Sequence, residues 1–318
     1  MFDPRPWGTY DLSPIYPNQQ FSEKIGESWL TGDNSKVANG PLRGRSLAEL
    51  SAKYGRDLVG SAAKDPTRFP LLLKFLFPNE KLSVQVHPDD EAALRVGQPC
   101  GKTECWYVVH AKPGAQVALG LKPGVTKARF EESIHKHQAE DLLNWIDVFA
   151  GDMIYVAGGT VHTLGPGAII VETQQQSDTT YRLYDYGRPR ELHLRDGLAV
   201  LNEAAKSGKV VRPGAAKTAN ETDSQRLITS PCFVVDRFSL QQAREFAGQG
   251  KTSVQILVAV DGFGVIESDA GEPVTLAKGD ALVIPASVSK FTVRPQWRIE
   301  FLKSCLPDSE VPEPALTT

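Results

Sequence analysis

Apolar residues in this chain come in short runs broken by Gly, Pro and Asp: "PLLLKFLFP", "KLSVQVHP", "CWYVVHA", "QVALGLKPG", "DMIYVAGG" and "GAIIVETQQ". Runs of this length are too short for core helices and too frequently interrupted for βαβ units, so they predict an antiparallel sandwich or barrel. Four stretches carry helical signals. "SLAELSAKYG" has Ser46 as a cap and ends at Gly55, and "PDDEAALRVG" places a proline and two acids in its first turn before Gly97. "KARFEESIHKHQAEDLLNWI" and "ELHLRDGLAVLNEAA" are longer candidates. Residues 204 to 225 are polar and apolar-poor and are expected to connect two units, 1–225 and 226–318. The second unit is nearly all strand, in "CFVVDRFSL", "SVQILVAVDGFGVIE", "EPVTLAKGDALVIPA" and "KFTVRPQWRIEFLKS".

The segment "EKLSVQVHPDDEAA" raises a chemical question. Val84 and Val86 alternate with Ser83, Gln85 and His87, as in a strand with one apolar and one polar face. Metal ligation would give Gln85 and His87 a common purpose, because residues i and i+2 of a strand point the same way. In "GKTECWYVV", Lys102, Glu104 and Trp106 would share one face while Cys105 and Tyr107 take the other. A hydrogen-bonded structural histidine and a glutamine paired across strands account for the first pair equally well on spacing alone.

"GDMIYVAGGTVH" (151–162) and "GDALVIPASVSK" (279–290) form an internal repeat. Each resembles the second motif of the cupin superfamily, G-x5-P-x-G-x2-H. The first copy keeps Gly151, Gly159 and His162, with Ala157 at the proline position. The second keeps Gly279 and Pro285 but has Ser287 for glycine and Lys290 for histidine, so its metal motif is degenerate. The expected fold is mainly β: two cupin-type jelly-roll units, with a few helices in or beside the first.

"IGESW", "VANGPLRGRSL", "LSVQVHPDDEAA", "GKTECWYVV" and "GTVHTLGPGAIIVETQQQSDTTYRLYDYGR" together resemble type I phosphomannose isomerase in its short bacterial form. The likeness runs from Trp7-Gly8 to about Glu203 and is weaker beyond. It implies one zinc ion per chain held by Gln85, His87, Glu104 and His162, and it implicates Lys102, Glu172 and Arg182 in catalysis. It also implies a sugar phosphate substrate and interconversion of mannose 6-phosphate and fructose 6-phosphate through an enediolate. Two neutral imidazoles, a neutral amide and one carboxylate around a divalent ion would leave a charge of roughly +1. The alternatives are another metal-dependent cupin enzyme, against which a glutamine ligand argues, and a non-catalytic sugar-binding cupin, which would be expected to show a decayed ligand set.

Other features narrow the field. A net charge of -3 leaves no electrostatic footprint for nucleic acid or anionic membrane. No apolar stretch is long enough to span a bilayer, and "MFDPRPWGTYDLSP" has no signal-peptide pattern, so a cytoplasmic protein is expected. Four cysteines without a CxxC motif are expected to be reduced thiols. His135 and His137 imitate a chelating pair, but on a helix residues two apart do not share a face.

Overall fold

The computed structural model describes residues 1–211, 223–269 and 271–317. Among the described residues, the first unit has twelve strands: β1 (Phe2–Thr9), β2 (Ile25–Trp29), β3 (Leu71–Leu76), β4 (Val84–Val86), β5 (Glu104–Ala111), β6 (Gln116–Leu121), β7 (Leu143–Asp147), β8 (Met153–Val156), β9 (His162–Leu164), β10 (Ala168–Gln175), β11 (Tyr181–Tyr184) and β12 (Gly208–Val210). The second has β13 (Ser224–Thr229), β14 (Val234–Leu240), β15 (Arg244–Ala247), β16 (Gln255–Ser268), β17 (Gly271–Ala277), β18 (Ala281–Ile284) and β19 (Lys290–Cys305). A last strand, β20 (Leu316–Thr317), returns to pair with β12. Neighbouring strands run antiparallel in the order β1-β2-β3-β10-β5-β8-β12-β20 in the large sheet and β11-β4-β9-β6-β7 in the small one.

These two sheets sandwich Trp106, Val108, Ile154 and Ile170 of the large sheet against Val117, Leu119 and Leu164 of the small one. The large sheet is covered on its other face too. Leu71, Leu73, Phe75, Cys105, Tyr107 and Val171 pack there with Val235, Ile256 and Val258 of the second unit. A strand buried on both faces loses alternation and reads as one apolar run, which explains "LLLKFL". In the second unit, β16 pairs with β18 through Gln255–Val258 and with β17 through its far half, so one long strand serves both ends of the jelly roll. Phe238, Phe246, Phe291 and Phe301 fill its interior.

The repeat is visible in hydrogen bonds. Gly151 and Gly279 both take φ +91°, a region that favours glycine. The next residue in each copy, Asp152 or Asp280, accepts the amide hydrogen of the residue three before it, Phe149 or Ala277. The copies diverge where the motif does: His162 is fully buried, whereas Lys290 is exposed beside Glu245.

Helix boundaries correct three expectations. The 127–146 stretch gives a helix only over Lys127–His135, then a 3-10 turn (Ala139–Leu142) and β7. His137 takes φ +58° and closes the helix, and Trp145 and Ile146 pair with Ala118 and Val117 instead. The 191–205 stretch is helical only over Leu194–Val200, because Asn202 donates its amide hydrogen to the Gly159 carbonyl. Ser46 makes the expected cap on Leu47–Tyr54, and Glu49 completes it as a reciprocal capping box. The helix after His87 covers Asp90–Arg95 with Asp89 as its cap, so Pro88 lies outside the first turn. Within the expected connection, Gly208–Val210 is strand β12, and residues 212–222 lie outside the described residues. All four cysteines are free thiols. Among the described residues no helix is long and apolar enough to cross a membrane.

Candidate metal centre

β4 lies between β11 and β9, with Gln85 opposite Arg182 on one side and His162 on the other. Val84 and Val86 point into an apolar cluster with Phe130 and Leu183, which turns Gln85 toward the space between the sheets. His87 follows directly after the strand. Glu104 enters from the large sheet as the first residue of β5. One nitrogen or oxygen from each of His87, Glu104 and His162 lies within 4.8 Å of the others. His162 Nε2 is 3.4 Å from Glu104 Oε1, and His87 Nε2 is 3.7 Å from Glu104 Oε2. The Gln85 side-chain nitrogen, Nε2, stands 3.3 Å from His162 Nε2, so a half-turn of the amide is what would bring its oxygen to the cluster.

The chemistry of these atoms fits a cation. Each Nδ1 faces a backbone carbonyl at 2.9 Å, Thr179 for His87 and Thr160 for His162. A carbonyl only accepts, so each Nδ1 carries the hydrogen and each Nε2 presents a lone pair. Burial, with the charge of Lys102, pushes His87 well below its ordinary value; burial brings His162 down to about 4. Both rings are therefore neutral near pH 7. His87 Nε2 and both Glu104 oxygens are buried with no aligned hydrogen bond. Burial pushes the Glu104 carboxyl up, as expected for a charge removed from water. Three buried acceptors without a hydrogen bond converge here, with only the Lys102 ammonium, 3.7 Å from Glu104 Oε2, to offset them, and a cation among them would lower the cost.

The other expected residues lie around this cluster. Lys102 is buried, with Nζ 3.7 Å from Glu104 Oε2. Glu172, on β10, stands opposite Trp106 on one neighbour and Lys74 on the other. Burial first, and the Glu104 charge second, push its carboxyl up to about 7 against the pull of Lys74 and Lys102. Arg182 lies on the edge strand, with Nη1 bonded to the Glu191 carbonyl at 2.8 Å and Nε buried without a partner. His193, which has no evident role in the sequence, accepts the Arg182 amide hydrogen at 3.1 Å. His135 and His137 are exposed, away from this cluster.

Lys74 and Glu27 were missed by the sequence reading. Lys74 is buried, 3.7 Å from both Glu172 and Glu27, 3.6 Å from Asp178 and 4.3 Å above the Trp29 ring. Burial alone would raise Glu27; Lys74 and Arg5 overcome it and hold the carboxyl down at about 2. The signal was a lone lysine inside "PLLLKFLFP", because a lysine on a strand buried on both faces requires charged partners.

A family model described as the catalytic domain of type I phosphomannose isomerase matches residues 9–99. The mannose-6-phosphate isomerase of Streptococcus mutans is 36% identical over 300 residues, 90% of each chain. The chain belongs to the type I phosphomannose isomerase family. The Bacillus subtilis mannose-6-phosphate isomerase ManA is 34% identical across 92% of this chain and 93% of its own. A crystal structure of a B. subtilis mannose 6-phosphate isomerase superposes with a TM-score of 0.83 at 31% identity, covering 96% of this chain and 97% of that one. A mannose 6-phosphate isomerase solved with zinc bound has the same fold, with a TM-score of 0.73 over 95% of this chain, at 16% identity.

Proposed function

We propose that this member of the phosphomannose isomerase family is a zinc-dependent aldose–ketose isomerase that interconverts mannose 6-phosphate and fructose 6-phosphate. The observation that carries the reading is the convergence of buried acceptors on His87 and Glu104, none of them hydrogen-bonded, beside His162. Gln85, His87, Glu104 and His162 would hold the zinc. When bound, the ion would supply a residual charge of roughly +1, able to polarise sugar oxygens and stabilise an enediolate.

The chain's own groups do the rest. Isomerisation moves a proton between carbons 1 and 2 of the open-chain sugar, so it needs a group that takes and returns a proton near neutral pH. We assign this to Glu172, a buried carboxyl near enough to the cluster to feel the Glu104 charge, with Lys74 fixing its position. Lys102 lies close enough to the cluster to hydrogen-bond a sugar oxygen. Arg182, opposite Gln85 on the neighbouring strand, offers a fixed positive charge and a fork of donors to an anionic oxygen of the substrate.

A coupled assay for fructose 6-phosphate with metal analysis on the same preparation tests the reading. The expected result is one zinc per chain, activity lost on chelation and recovered on adding zinc. Zinc-loaded protein without isomerase activity would sink the assignment. A second metal lost on changing Lys290 would overturn the single-site stoichiometry. Arg182→Lys is expected to keep its zinc and lose roughly ten- to hundredfold in kcat/KM, since a charged hydrogen bond contributes about 1.5–3 kcal/mol. Near-normal kinetics in that variant would place Arg182 outside the site.

A further inference from the structure

The half-exposed carboxylate of Asp90, four residues from the end of β4, belongs to no ligand set. It begins the helix after His87, yet its first oxygen, Oδ1, accepts the Gly101 amide hydrogen and the Gln175 side-chain Nε2, both at 2.8 Å. The Gln175 oxygen in turn accepts the Thr103 amide hydrogen at 2.9 Å, and the Thr103 hydroxyl accepts that of Gly158 at 3.2 Å. Two backbone bonds close the ring: Lys102 donates to the Pro88 carbonyl at 2.9 Å, and Gly159 to the His87 carbonyl at 2.7 Å.

Three separate segments are thereby joined. One carries His87, one carries Lys102 and Glu104, and one leads to His162. Their approach is too close for side chains. A Cβ on Gly101 would come within 2.5 Å of the Asp89 carbonyl carbon, and one on Gly158 within 2.6 Å of the Asp89 Cα. Glycine at both positions lets the Pro88–Asp89 backbone lie between the other two segments, where Asp90 and Gln175 lock it.

We infer that Asp90 and Gln175 are positioning residues: they fix the spacing of the His87, Glu104 and His162 side chains, and hence the geometry in which the metal is held. This rests on the metal-centre reading above. Groups that orient ligands are worth about 10- to 100-fold in metal affinity or activity. Sub-ångström placement of the ligands governs turnover more than substrate capture.

The test uses the full-length holoenzyme. Asp90→Ala is expected to release zinc to a chelator about 10- to 100-fold faster than wild type. The visible spectrum of its cobalt(II)-substituted form should shift, and kcat should fall while KM stays within about twofold. Asp90→Asn keeps an acceptor oxygen for Gly101 and Gln175, and should restore zinc retention and spectrum. Lys64→Ala removes only the cation on the outer Asp90 oxygen, where the lysine side chain is 85% exposed, and should leave all three readouts unchanged. If Asp90→Ala fails to fold, Gln175→Met removes the side-chain bonds to Asp90 and Thr103, leaves the Asp90–Gly101 bond in place, and should move the same readouts. A folded Asp90→Ala or Gln175→Met protein with wild-type zinc release, cobalt spectrum and kcat overturns the inference. So does a lowered melting temperature with an unchanged cobalt spectrum, which would mean stability alone. Wild-type protein lacking zinc or isomerase activity would count against the function reading instead, and the variants are judged only beside active wild type.

Discussion

Glu104→Gln is expected to fold, to lose isomerase activity and to show no thermal stabilisation by zinc. Glu104 is the one charged group in the proposed ligand set, and the two histidines are held neutral by burial. The glutamine variant would keep nearly the same shape but withdraw the single negative charge that faces the ion. Removing one partner of a buried ion pair costs about 3–5 kcal/mol, or roughly two to four orders of magnitude in affinity. Ligand binding raises apparent stability only while the site is occupied. Wild type should therefore melt higher with zinc than with chelator, while the variant melts at one temperature in both. Calorimetry with and without zinc, alongside the coupled assay, decides it. A variant that zinc still stabilises, with wild-type turnover, would remove Glu104 from the metal centre.

Glu172→Gln should separate chemistry from metal binding. If Glu172 carries the proton, kcat falls by about 10²- to 10⁴-fold while zinc content is unchanged. Lys74 keeps Glu27 and Asp178 as partners, so no buried cation is left stranded. The substitution has a second, thermodynamic signature in the metal-free protein. A carboxyl raised from 4.5 to about 7 on folding keeps its proton in the native state while the unfolded chain releases it. Its stability contribution is therefore full below pH 4.5 and is lost as pH rises toward about 7, at up to about 1.4 kcal/mol per pH unit. Denaturant unfolding in chelator at pH 5 and pH 8 should show a smaller decline for Glu172→Gln than for wild type. Equal declines would mean that Glu172 is ionised throughout, and undiminished kcat would mean that it carries no proton.

Some of this was written in the order of residues. Period-two alternation around Val84 and Val86 implied a strand with Gln85 on the opposite face, and β4 has that arrangement. The repeated Gly-Asp turn implied two related units, and Gly151 and Gly279 adopt the same backbone conformation. The Ser46 cap and Gly55 bounded the first helix because both signals act within one turn. Where competing elements met, local signals failed. The pattern after Lys127 is compatible with a long helix until β6 supplies a strand partner for Trp145, a choice that residues 127–146 do not contain. The ligand set needed family resemblance, since spacing alone left structural readings of Gln85 and His87 open.

Tertiary structure decided the electrostatics. Which ring nitrogen of His87 carries its proton depends on the Thr179 carbonyl, 92 residues away in the chain. Lys74 is charged in the interior because Glu27 and Glu172 arrive from neighbouring strands. The Glu172 carboxyl is shifted because burial and Glu104 act on it together, and Asp90 becomes a hub only once residues 101 and 175 reach it. Periodicity, turns and caps are short-range and can be read along the chain. Dielectric environment, charge pairing and hydrogen-bond direction depend on which distant segments share a site, and only the folded chain specifies that.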